Sequence, residues 1–204
     1  MSFIESLLIP EKRMDVPCQT DNEYSDISSN QCSWCAAEFA THYDKLIPAF
    51  FANGTAFLDL YKECLLRASI NRKNYKGPVY GENIDNKTLK NVMNLKVCLE
   101  CTYINDDTKR DEFMEILPAE LKTEFYDNIY GRVTNFEFLK SYKFALISRH
   151  GQSLCLLPIG DLFLVLDSHV RTVGLMTFEN VVKYVTFQQS ESMGYTIVTC
   201  LCGA

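Results

Sequence analysis

The spacing of apolar residues changes along this chain, and the change divides it in two. From 31 to about 43, Trp34, Ala36, Ala37, Phe39 and Ala40 form a run suited to a buried helix. Pro48 and the Asn53-Gly54 pair predict a turn over 44–54. Thr55 then reads as an N-cap, with Phe57, Leu58, Tyr61, Leu65 and Leu66 at helical spacing up to about Ala68. The run 71–86 is basic and then turn-rich, and it reads as a loop. A helix is predicted over 86–95, while 97–104 fits helix and strand equally. Short helices are expected over 110–117 and 119–130, split by Pro118. After 140 the period shortens. The runs 142–149, 153–157 and 162–166 are apolar or alternating, and Gly151 and Gly160-Asp161 punctuate them. The last two runs make a hairpin. Thr177 caps a helix carrying Phe178, Val181, Val182 and Val185, and 195–201 reads as a final strand. Residues 1–30 read as mostly irregular, ordered by docking onto the rest.

This outline is α+β: helix one and a helical half packed on an antiparallel sheet. The 204 residues suffice for one domain, with 44–140 as the helical half and 142–204 as mainly sheet. A net charge of −6 argues against nucleic acid as the main partner. The first ten residues lack a basic start and a long apolar run, so no signal peptide is expected. No run of about 18 apolar residues predicts a membrane span. Nine cysteines without a secretion signal fit free thiols in a reducing, intracellular compartment.

Chemistry enters at the start of helix one. Polar, turn-prone residues 28–31 run into Cys32, which places a thiol at a helix N-terminus. Unpaired N–H groups and the helix dipole favour a thiolate there. Its base must come from elsewhere. Of three histidines, His42 lies too far along helix one and His150 precedes Gly151 near a strand end. His169 follows the buried run 162–166 in Asp167-Ser168-His169. On a strand, residues two apart project together, so Asp167 can orient an imidazole that deprotonates a thiol. The expected constellation is Cys32, His169 and Asp167.

These elements resemble the papain-like deubiquitinase domain of the herpesvirus large tegument proteins and the related viral-tegument-like deubiquitinases. The likeness rests on Gln31-Cys32 opening the first long helix, on His150-Gly151-Gln152-Ser153 through Cys155-Leu156-Leu157-Pro158, and on Asp167-Ser168-His169. It covers about 18–43, the nucleophile segment, and 142–171. It implies a papain-like fold, a Cys32 nucleophile, His169 as base with Asp167 as its orienter, and an upstream glutamine at the oxyanion hole. Gln19 stands at the position of that glutamine. The resemblance also implies ubiquitin, ubiquitin chains or a ubiquitin-like modifier as substrate, and no cofactor.

Three other readings compete. Cys32-Ser33-Trp34-Cys35-Ala36 also resembles the nucleophile signature of general papain-like proteases, which selects Cys35. In that register Ser29 occupies the place of the helper glutamine and substitutes for it poorly. The pairs Cys32/Cys35, Cys98/Cys101 and Cys200/Cys202 invite structural zinc. Long insertions separate them, and Cys200 and Cys202 read as buried strand residues, so no metal is expected. The third reading is a non-catalytic ubiquitin-binding or adaptor domain.

Overall fold

The computed structural model of the protein describes residues 3–24, 31–77, 86–104, 137–149, 152–186 and 197–203. The helices expected over 110–130, together with Ser29, Asn30 and His150, lie outside the described residues.

A seven-stranded antiparallel sheet organises the molecule, in the order β1-β6-β5-β4-β3-β7-β2. The strands are β1 (Arg13–Asp15), β2 (Val97–Ile104), β3 (Phe144–Arg149), β4 (Gln152–Ile159), β5 (Leu162–Leu166), β6 (Thr172–Thr177) and β7 (Ile197–Gly203). Three of them were visible as apolar runs, because β3, β4 and β5 are buried on both faces. Leu164 and Leu166 point to one core, Phe163 and Val165 to the other. The hairpin between β4 and β5 turns at Gly160, whose φ of 61° suits a residue without a Cβ.

Helices cover both faces. On one side lie α2 (Cys32–Thr41), α3 (Tyr43–Ala52), α4 (Gly54–Asn74) and α5 (Asn86–Val92). On the other lie α1 (Phe3–Leu7) and α6 (Phe178–Thr186). Helix α2 is buried from Cys32 to Ala40 and is wedged between β4 and α4. Ala36, Ala37 and Ala40 let its backbone approach its neighbours, and a helix buried all round needs such small side chains. No described helix is long and apolar enough to cross a membrane.

Several expectations fail for identifiable reasons. The segment 44–54 is not a turn but mostly helix α3, with Pro48 inside it. Proline removes only the bond to the Asp44 carbonyl, while Leu46 and Phe50 are buried beside it. The cap of α4 is Asn53, not Thr55: Asn53 Oδ1 accepts from the backbone N–H of Thr55 and Ala56 at 3.0 and 3.3 Å. The helix then runs six residues past Ala68, into the expected loop. Residues 97–104 form a strand inside the expected helical half, and β2 pairs with β7 at the sheet edge. The N-terminal segment is not irregular throughout. It holds α1 and β1, and β1 pairs with the unforeseen β6. Gly174 makes this pairing possible, since a Cβ there would stand 2.3 Å from the Lys12 carbonyl oxygen. As expected, Thr177 caps α6, its Oγ1 accepting from Asn180 N–H at 3.3 Å.

Candidate active site

Helix α2 begins at Cys32. Gln31 precedes it at φ −110° and ψ 5°, and its own side chain makes no capping hydrogen bond. The N–H groups of a first helical turn and the helix dipole favour an anion. Cys32 is only 2% exposed. Burial pushes its thiol up, but a hydrogen bond to His169, the charge of that imidazole and the Ser153 backbone N–H outweigh burial and hold it below the ordinary thiol value. Ser153 lies on β4, paired with Ser148 of β3. Its hydroxyl stands 2.8 Å from that of Ser148 and 3.1 Å from that of Ser33, the residue after the thiol.

His169 arrives from the turn after β5. The expected strand alternation is not what brings Asp167 and His169 together, because β5 ends at Leu166 and both residues lie beyond it. Asp167 Oδ1 instead accepts from the His169 backbone N–H at 2.9 Å and meets its Nδ1 at 2.7 Å. This is an Asx-type turn, in which a carboxylate grips the backbone two residues on. Engaging Nδ1 leaves Nε2 for the thiol. Burial pulls His169 down, but hydrogen bonds to Asp167 and Cys32 and their charges raise it to about 10. The two shifts run in opposite directions, the thiol down and the imidazole up.

Asp167 is 3% exposed, so its charge needs donors. Besides the two from His169, it accepts at Oδ2 from the Tyr184 hydroxyl of α6 at 2.5 Å. Burial pushes this carboxyl up, yet His169 and Tyr184 hold it below the usual carboxylate range. The Tyr61 hydroxyl of α4 stands 3.5 Å from the Asp167 carbonyl oxygen. Sequence reasoning missed Tyr184 and Ser153. Tyr184 sits among the apolar positions of α6, and an aromatic there is a core residue until the fold shows what its hydroxyl reaches.

Gln19 is built onto the same turn. Its backbone N–H donates to the Ser168 carbonyl at 2.8 Å, and its Oε1 accepts from the Ser168 hydroxyl at 2.8 Å. Gln31 Nε2 donates to the Gln19 carbonyl at 3.1 Å and to the Tyr24 carbonyl at 2.6 Å, tying this segment to the start of α2. The Arg171 guanidinium forks onto the Asp21 carboxylate and braces the same loop from outside. Among the described residues, Gln19 Nε2 has no hydrogen-bond partner.

Of the remaining candidates, Cys35 borders this arrangement, its Sγ 3.8 Å from Gln19 Oε1, and the other described ones sit elsewhere. Cys35, one turn into α2, is 0% exposed, and burial pushes its thiol far up. His42 ends α2, its Nδ1 2.9 Å from the Glu38 carbonyl. Cys200 and Cys202 are buried on β7. Among the described residues no three His, Cys, Asp or Glu side chains gather as metal ligands do.

The fold has a known counterpart. The protein is similar in structure to the ubiquitin-specific protease encoded by the murine cytomegalovirus tegument protein M48, solved with a ubiquitin-based suicide substrate. The TM-score is 0.52 at 9% identity, over 94% of this chain and 85% of that one. The two share an α+β, papain-like fold. No protein-family model and no curated protein matches the sequence.

Proposed function

We propose that this protein is a cysteine deubiquitinase, an isopeptidase that cleaves after the C-terminal glycine of ubiquitin. One observation carries the reading. A thiol at a helix start is held low by an imidazole, and the Nδ1 of that imidazole stands 2.7 Å from a buried carboxylate and is held high by it. A thiol held low beside an imidazole held high is an activated nucleophile. The choice of ubiquitin draws on the shared fold alone.

In the proposed reaction, Cys32 Sγ attacks the glycine carbonyl carbon and the carbonyl π electrons move onto oxygen. The Cys32 backbone N–H and Gln19 Nε2 face that oxyanion. As the tetrahedral intermediate collapses, the C–N bond breaks and His169 gives its proton to the departing lysine amine. A thioester remains. His169, now neutral, takes a proton from water, whose oxygen attacks the thioester carbon. The C–S bond then breaks to return the thiolate and release the glycine carboxylate. Asp167 keeps Nδ1 protonated throughout, so that Nε2 does the proton transfers.

Hydrolysis of a fluorogenic ubiquitin C-terminal substrate tests the reading. Turnover that disappears with Cys32→Ala is the expected result. An unreactive protein whose Cys32 is nonetheless rapidly alkylated would keep the thiol chemistry and refute ubiquitin as the substrate.

A further inference from the structure

The oxyanion role of Gln19 in the proposed reaction raises a question of orientation. A side-chain amide has an acceptor end and a donor end of nearly equal shape, and only the donor end stabilises an oxyanion. The wrong orientation would put a carbonyl oxygen against the developing negative charge. Something must therefore hold the amide one way round.

The middle residue of Asp167-Ser168-His169 is placed to do so. Ser168 is 1% exposed and Gln19 3%. The Ser168 hydroxyl donates to Gln19 Oε1 at 2.8 Å, while its carbonyl accepts from the Gln19 backbone N–H at 2.8 Å. A second donor, Cys35 Sγ–H, lies 3.8 Å from the same Oε1. Two donors thus converge on one acceptor. Turning the amide over would face its NH₂ against both. The hydroxyl could rotate to accept, but a neutral thiol is a weak acceptor. Nε2, left without a partner among the described residues, is the end that remains for a substrate.

We infer that Ser168 is a positioning residue: its hydroxyl fixes the Gln19 amide with Oε1 inward and Nε2 toward the reacting carbonyl. The inference rests on the proposed oxyanion role of Gln19. One short turn then serves the reaction three ways. Asp167 orients the base, His169 is the base, and Ser168 orients the oxyanion donor.

A double-mutant cycle of Ser168→Ala and Gln19→Ala tests this, with kcat and KM for the fluorogenic ubiquitin substrate and the rate of Cys32 alkylation by iodoacetamide. Losing one hydrogen bond that sets an orientation should lower kcat about five- to ten-fold, with KM unchanged. In the Gln19→Ala background the same substitution should cost nothing further, because its effect passes through Gln19. Alkylation should keep its rate and its pH profile, since the thiolate–imidazolium pair is untouched. Ser168→Cys, which keeps the volume and a weaker donor, should fall between the parent and the alanine variant, and it substitutes for Ser168→Ala should that variant fail to fold. Equal loss of kcat in both backgrounds, or slowed alkylation, would overturn the inference by making Ser168 a support for the turn or for His169. If the parent does not hydrolyse ubiquitin substrates, the deubiquitinase reading fails separately. The Gln19 ¹³Cδ chemical shift then decides the orientation: a change on Ser168→Ala supports it, and an unmoved resonance overturns it.

Discussion

Helix α2 carries two cysteines one turn apart, and burial does not tell them apart: Cys32 is 2% exposed and Cys35 0%. Their surroundings do. Around Cys32, the turn after β5 supplies an imidazole and β4 a backbone N–H, and the thiol is held low. Farther along the helix, in the seam with α4, the polar neighbours of Cys35 are the uncharged Gln19 Oε1, at 3.8 Å, and the Ser168 hydroxyl. There burial pushes Cys35 far up and Cys64 to about 12, and it raises the Glu38 carboxyl despite His42 and the Asn71 amide at 2.6 Å. Desolvation thus acts on both regions, and its outcome depends on whether a charged hydrogen-bonding partner is buried with the group. The same lesson applies to Asp167, whose burial is offset by three donors.

The sharpest way to break this contrast is to remove each thiol in turn. Cys32→Ala and His169→Ala should each abolish ubiquitin-substrate hydrolysis, because the members of the proposed triad would act as a unit. Substantial turnover by either variant would return the search to Cys35 or His150. Asp167→Asn should come next, costing up to about 10⁴-fold in kcat by allowing the wrong imidazole tautomer. Asparagine also offers one oxygen where the carboxylate serves donors at two, so the unfolding midpoint should drop as well. A loss of less than ten-fold would show that the turn orients His169 without the charge. Gln19→Ala should lower kcat by roughly 10²–10³ with little change in KM. Because Gln19 is buried and bonded to Ser168, this variant should also be less stable, by about 1–3 kcal/mol. Activity within a few-fold of the parent would remove Gln19 from the site.

The pH dependence separates the two regions without mutation. As pH falls through the lowered value of Cys32, the thiolate is protonated and both alkylation and hydrolysis decline. As pH rises through about 10, His169 loses the proton that the proposed reaction gives to the leaving amine. Hydrolysis should then fall while alkylation of Cys32 continues. A rate that rises only near the ordinary thiol value of about 8.5 would deny the ion pair. The smallest effect belongs to Cys35→Ala: it removes the longer of the two contacts on Gln19 Oε1, at 3.8 Å, so kcat should fall by less than with Ser168→Ala, with a stability loss on the order of 1 kcal/mol from the cavity it leaves. A dead but folded Cys35→Ala protein would reverse the contrast.

What could be read from the sequence follows from how local each signal is. Strands β3 to β5 are buried on both faces and so appear as apolar runs. Cys32, Asp167 and His169 announce themselves by residue type beside such runs. Strand β6 escaped notice because Gly174 interrupts its apolar pattern, and that glycine is explained only by the approach of β1. Helix α3 escaped because Pro48 outweighed Leu46 and Phe50 in a local reading. Tyr184, Ser153 and the Ser168–Gln19 pair were invisible for a stronger reason. Each contributes one hydrogen-bonding group from a distant element, and no periodicity marks it. Asp167 and His169 meet through a turn, which replaces the expected strand alternation.

The central claim is that Cys32, and not Cys35, is an activated nucleophile serving ubiquitin. A ubiquitin bearing an electrophile at its C-terminus tests all of it in one step. The account predicts a single adduct, mapped by peptide mass spectrometry to Cys32, formed equally by Cys35→Ala and not at all by Cys32→Ala or after prior alkylation of Cys32. No adduct on the folded parent protein, or an adduct mapped to Cys35, would contradict it.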